Sequence, residues 1–177
     1  DALAALPSTV APPAGRVEGG ALSPARVERR ARKRPLRVVF LGTVAPRKGV
    51  VTLVDALAGL DGAWEATLAG RLDADPDYAD RVREAIDGHG LTDRVTVPGP
   101  VPEEDLPALL ERAHVLAVPS RYEPFGMVYL EAMEYGVVPL ASTVGGADEF
   151  VDDGANGCLV DPGDAEGLRA ALATLRD

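Results

Sequence analysis

Beyond Pro35 the chain alternates between short apolar runs and stretches with apolar residues at helical spacing. LRVVFLG, residues 36–42, is continuously apolar and fits a strand buried on both faces of a parallel sheet. GVVTLVDALAGL follows, with Val50, Leu53, Val54, Leu57 and Leu60 on one helical face. WEATLAG (64–70) predicts the second strand. DADPDYADRVREAIDGHG predicts a helix with Pro76 near its first turn and Tyr78, Val82 and Ile86 on one face. RVTVPG is a third strand, and EEDLPALLERA a helix whose first turn is acidic, as the helix dipole favours. HVLAVPS, VVPLAS and GCLV predict strands four to six. GMVYLEAMEYG is the helix after the fourth, and GDAEGLRAALATLRD a closing helix capped near Asp164. Strict alternation of this kind predicts one Rossmann-like α/β domain over 36–177, with a parallel six-stranded sheet and helices on both faces.

Residues 1–35 differ in kind. They are rich in Ala, Pro and Gly, lack a sustained period, and read as a linker or the remnant of a preceding domain. Within them PARVERRARKRP is basic and can form a short helix from Ser23 to Arg34. The charge split is sharp. Residues 1–37 carry eight Arg and Lys against three acids, and the remainder ten against twenty-five, for a net −10. An acidic body argues against nucleic-acid binding and makes clustered cations within it informative. No apolar run approaches the ~20 residues of a membrane span, and no signal peptide is expected. The single cysteine, Cys158, forms no internal disulfide, fits a reducing cytoplasm, and reads as a small buried hydrophobe.

Ligands of open parallel sheets bind at the carboxyl ends of the strands. There the unusual residues collect: GTVAPRKG, GRLDAD, GPVPEE, SRYEPFG and STVGG each follow a strand. Arg47 and Lys48 are adjacent cations opening a helix, against the dipole unless an anion lies between. A diphosphate suits them, with a bidentate Arg and a point-charge Lys. The spacing is not that of a P-loop, because Gly49 follows Lys48 directly. Gly126 stands where the next helix starts, so backbone N–H groups from Phe125 through Met127 to Val128 can approach a ligand. Glu123 precedes that helix, and Glu131 is an acid among apolar neighbours on it, leaning back towards the same opening. Gly70 and Arg71 after the second strand suit phosphate or plain solvent. Gly145 and Gly146 suit close backbone approach or a tight turn. Glu134 reads as a solvated or capping acid, and His89 and His114 as structural. No His/Cys cluster has metal-ligand spacing and no nucleophile elbow is present.

The run EPFGMVYLE and its continuation AMEYGVVPLASTVGGADEFVDDGANGCLVDPGD closely resemble the C-terminal, nucleotide-sugar-binding domain of family 4 retaining glycosyltransferases of the GT-B type, over roughly residues 36–177. The family motif G-R-x-x-x-x-K-G is matched at Gly42, Lys48 and Gly49. It departs at Thr43, where many members place a phosphate-gripping arginine that Arg47 can replace. The resemblance implies that Glu131 holds the ribose diol, that Val101 and Pro102 lie at the nucleobase, and that Glu123 lies beside the donor sugar. Catalytic roles then fall to Glu123, Lys48 and Arg47. Donor binding falls to these with Gly42, Thr43, Gly70, Arg71, Val101, Phe125, Gly126, Met127, Val128 and Glu131. The expected substrate is a nucleoside diphosphate sugar, with no metal and no cofactor. The acceptor, nucleobase and sugar stay open. Only one half of a GT-B fold is present, so the N-terminal acceptor domain is the expected partner and the chain alone is expected to be inactive. The expected location is cytoplasmic. The basic arm also suits the inner membrane face, a habit of some members of the resembled family. A nucleotide-sugar epimerase half-domain and a non-catalytic nucleotide-binding module share the architecture.

Overall fold

The structure, a computed structural model, describes residues 35–176; the readings of the segment before Pro35 lie outside the described residues. Six strands form one parallel sheet: β1 (Leu36–Leu41), β2 (Trp64–Ala69), β3 (Val95–Gly99), β4 (Val115–Ala117), β5 (Val138–Ser142) and β6 (Cys158–Val160). Their order is β3-β2-β1-β4-β5-β6. The helices are α1 (Val50–Ala58), α2 (Pro76–Gly88), α3 (Leu106–Leu110), α4 (Met127–Glu134) and α5 (Ala165–Arg176). With the right-handed crossovers that parallel units follow, this strand order places α1 and α2 on one face and α3 and α4 on the other, and α1 packs against both α2 and α5.

β1 is central because its sequence can be buried on both faces. Val38, Val39 and Phe40 are all within the core, and Leu53, Leu57, Leu168 and Leu172 from α1 and α5 are fully buried. The register pairs Val38 with Val115 and Val39 with Leu116. His114 extends that ladder with its side chain: Nδ1 accepts the Arg37 N–H at 2.8 Å. His89 pairs at the surface with Asp55. Asp75 caps α2 by accepting the Tyr78 N–H at 3.0 Å.

The elements differ from the sequence reading in three places, each with a local cause. The helix predicted over 103–113 is a 3-10 turn, Glu103–Asp105, followed by the five-residue α3. Pro107 has no N–H to return to the Glu103 carbonyl, so the two segments do not merge. β4 ends two residues before Pro119, which cannot donate to the ladder. The cations Arg47 and Lys48 do not open α1. They form a separate 3-10 turn, Pro46–Lys48, and Gly49 at φ 68 starts the helix. The first turn of α1 is partly capped elsewhere, because the Tyr78 hydroxyl accepts the Val51 N–H at 3.1 Å. Among the described residues no helix is long and apolar enough to cross a membrane. Cys158 is half-buried, and burial, with Asp153 adding, raises its thiol pKa above the ordinary range.

Candidate active site

The strand order reverses between β1 and β4: the chain leaves β1 towards β2 on one side, while β4 lies on the other. The loops after β1 and β4 therefore part around a crevice, the place where open α/β sheets bind ligands. A cavity of ≈ 500 Å³ opens there, within the range typical of small-molecule sites. The β1 loop contributes Gly42, Thr43, Arg47 and Lys48 to its wall, the β2 loop Gly70 and Arg71, and the β3 loop Val101. From the β4–α4 segment come Glu123, Phe125, Met127, Val128 and Glu131. Lys48 and Glu131 thus share one cleft. Sequence reasoning missed the apolar floor of Leu41, Ala69, Pro100 and Leu106. Three of them, Leu41, Ala69 and Pro100, stand just before or after the glycine closing a strand, and Leu106 opens α3.

The two sides of the crevice are fastened together. The Lys48 ammonium and the Glu123 carboxylate form an ion pair, with side chains only 10% and 13% exposed. Beside it the Arg121 N–H donates to the Arg47 carbonyl at 2.7 Å. Gly49 packs so tightly on the β4 loop that a Cβ there would lie 2.2 Å from the Pro119 oxygen. Lys48 is buried at 8% exposure, whereas Arg47 and Arg121 are exposed. A lysine this buried is stable as a cation only beside an anion, so the pair makes Glu123 a structural partner as well as a site residue.

Gly126 is placed differently from the expectation. Its φ of 63 starts α4, but the residue is buried behind the cavity wall. A Cβ there would meet the Phe150 ring at 2.8 Å and Tyr129 at 3.0 Å. The missing side chain makes room for these rings. The first-turn N–H groups of Met127 and Val128, which lack intrahelical acceptors, belong to residues that do line the cavity.

Tyr129 was not singled out from sequence, where it reads as one more apolar position of α4. It is fully buried, and its hydroxyl donates to the Val118 carbonyl at 2.6 Å, tying α4 to the end of β4. Burial, with the Glu123 charge adding, raises the phenol well above its ordinary pKa, so it stays a donor. Tyr129→Phe is expected to cost about 1 kcal/mol of stability, since Val118 O keeps its bond from the Ser120 N–H. Chemical denaturation checks this as a lower midpoint at unchanged slope.

The two glycines after β5 serve the backbone of the site. The Glu123 N–H donates to Val144 O, the Gly146 N–H donates to Glu123 O at 2.9 Å, and Glu123 and Gly145 form an isolated bridge. Cβ atoms at Gly145 and Gly146 would lie 2.1 Å from Glu123 O and 2.6 Å from Pro124 O. Both glycines thus let the β5 loop hold Glu123 in place. Arg71 reaches the cavity, but its guanidinium pairs with the exposed Asp73 at 3.0 Å, each favouring the other's charged form. Glu134 is half-buried rather than solvated, with Oε2 buried and unpartnered. Among the described residues no group of His, Cys, Asp and Glu has a metal-binding arrangement.

A six-stranded parallel sheet of this order, with its crevice at the β1/β4 switch, is a Rossmann-like fold, and it superposes on one half of solved GT-B glycosyltransferases. Within that class the chain belongs to the glycosyl transferases group 1 family, whose sequence model matches residues 24–176. Alpha-D-kanosaminyltransferase of Streptomyces kanamyceticus is 32% identical over 147 residues, covering 81% of this chain and 37% of that protein. Alpha-maltose-1-phosphate synthase of Mycobacterium tuberculosis is 37% identical over 150 residues, covering 79% and 37%. Among solved structures, Anabaena HepE in complex with UDP and glucose superposes with a TM-score of 0.76 at 32% identity, covering 86% of this chain and 43% of that one. The chain spans less than half the length of each of these relatives.

Proposed function

We propose that this chain is the donor-binding half of a retaining glycosyltransferase, which moves a sugar from a nucleoside diphosphate to an acceptor hydroxyl. The observation that carries the reading is the Lys48–Glu123 pair, set in a single cavity that also holds Arg47 and Glu131. A nucleoside diphosphate sugar needs an apolar slot, a cationic patch and a ribose-binding acid within one cavity. Along the sheet the cavity offers Val101 at the β3 end, Arg47 and Lys48 over β1, and Glu123 and Glu131 over β4.

In this reading Lys48 and Arg47 take the negative charge that grows on the diphosphate as it leaves. The N–H groups of Met127 and Val128 add fixed dipoles there. Lys48 keeps two of its three N–H groups for this task, since Glu123 takes one. Glu123 faces the sugar carbon that becomes electron-poor, and Glu131 accepts from the ribose diol. These side chains supply the positive charge, so the proposed chemistry calls on no metal. The acceptor site belongs to a second, N-terminal half, in keeping with the share of each relative that the chain spans. HepE, seen with UDP and glucose, supports a sugar-nucleotide donor. The relatives reported above are a transferase and a synthase, which favours transfer over epimerisation.

A melting-temperature panel with UDP, GDP and ADP tests the reading. A ligand at 100 times its dissociation constant stabilises by about 2.7 kcal/mol, roughly 5–10 °C for a chain of this size. At least one nucleotide is expected to reach that shift. Glu131→Ala is expected to weaken it at least tenfold in concentration, through loss of charge-assisted bonds to the ribose. No shift with any of the three would overturn the assignment.

A further inference from the structure

We propose that Glu123 has a second task, which rests on the donor-binding reading: it sets how tightly the diphosphate is held, by competing for the Lys48 ammonium. In this role it is a positioning residue acting through Lys48. The two side chains are paired within the cavity wall and shielded from solvent. Glu123 cannot withdraw freely, because its backbone is bonded on both sides to the β5 loop at Val144 and Gly146. Lys48 is equally confined, ending a turn clamped to the β4 loop by the Arg121–Arg47 backbone bond. A diphosphate reaching Lys48 therefore meets an ammonium already partly neutralised, with a fixed carboxylate beside it.

Charges this close interact strongly where water is scarce. Coupling between two groups that share a partner is reciprocal: the carboxylate weakens the diphosphate's hold on the ammonium by the same factor as the diphosphate weakens the carboxylate's. The consequence follows the reaction. While the sugar is attached, binding is shared with the sugar, ribose and base contacts. Once the sugar has left, the nucleoside diphosphate holds only by its base, ribose and phosphate contacts, and the fixed Glu123 charge beside Lys48 favours its release. Release of product limits many enzymes, so a carboxylate that weakens the product complex aids turnover.

The sign of the effect distinguishes this role from a merely structural one. Removing a residue that only shapes the pocket weakens ligand binding; removing this charge strengthens it. Glu123→Gln keeps the shape and a carbonyl acceptor for Lys48 while deleting the charge. Titration calorimetry of UDP, GDP, ADP and inorganic pyrophosphate onto the chain is the test. Glu123→Gln is expected to bind the preferred nucleoside diphosphate ~10-fold more tightly than wild type. Adding Lys48→Met to it is expected to remove the gain. Circular dichroism and melting establish that each variant is folded. Should Glu123→Gln not fold, Glu123→Asp, one methylene shorter, is expected to show a smaller gain of ~2-fold or more. Wild type that binds while the folded Glu123 variant binds equally or less tightly overturns this inference and leaves the donor reading standing. Wild type that binds none of the four ligands sinks both.

Discussion

Lys48→Met is expected to cut the nucleotide-induced rise in melting temperature to about half or less and to lower the melting temperature of the protein itself. The first effect comes from the proposed site. A charge-assisted hydrogen bond typically contributes ~1.5–3 kcal/mol, a tenfold to hundredfold loss in affinity. The second comes from the ion pair. Removing one partner strands the Glu123 carboxylate in a largely buried setting, which costs about 3 kcal/mol and roughly 6–12 °C at this chain length. The double variant Lys48→Met, Glu123→Leu separates the two. Replacing both charges with apolar groups removes the stranded carboxylate, so stability returns towards wild type, while nucleotide binding stays weakened. A double variant that recovers binding as well would remove Lys48 from the diphosphate site.

Gly70→Ala is expected to be more damaging than the same methyl added at Gly42, the other glycine lining the cavity. Gly70 adopts φ 152, in the left-handed half of backbone space, and a Cβ on it would lie 1.7 Å from the Gly42 carbonyl oxygen. Neither atom can yield, because both belong to backbone at the ends of adjacent paired strands. The Gly70 N–H donates to Gly99 O at 2.8 Å, and the Gly42 N–H to Ala69 O at 3.1 Å. Steric and conformational strain together are expected to exceed about 3 kcal/mol. Gly42→Ala provides the contrast. Its Cβ would meet only side-chain atoms, Phe40 at 3.7 Å and Lys48 at 3.8 Å, so only the strain of φ 149 remains, about 1–2 kcal/mol. Equal melting temperatures for the two variants would contradict the close approach of the β1 and β2 loops. The comparison also bears on Gly70 as a ligand contact: its glycine is required by a neighbouring strand whether or not anything binds.

Residue-level legibility was uneven for definite reasons. Val38–Phe40 and Leu116 could be read as buried strands because burial on both faces leaves an unbroken apolar run. Val50, Leu53 and Leu57 could be read as a helix because one buried face imposes a period of 3.6. Lys48 and Glu131 could be placed at one opening because both follow strands of a parallel sheet. Tyr129 could not, because a hydroxyl aimed at Val118 leaves no trace in a helical apolar pattern. Gly126 was legible as a helix start, but its obligation to Phe150, twenty-four residues later, was not. The boundary between Lys48 and α1 escaped because a 3-10 turn and the first turn of an α-helix share the same local composition.

By itself the sequence determined the alternation of six strands with helices, the glycine or charge after the first five of them, and the family string through Glu123 and Glu131. These are properties of local burial and backbone freedom, and each is written in consecutive residues. Only the tertiary structure decided that β1 lies beside β4, and hence that Lys48 meets Glu123 across seventy-five positions. Strand order depends on which faces the crossovers can cover and which loops can close, a competition among distant segments that no short stretch records. The charges at the crevice were visible as separate letters; their pairing, and its control over the cavity, exists only once the sheet has assembled.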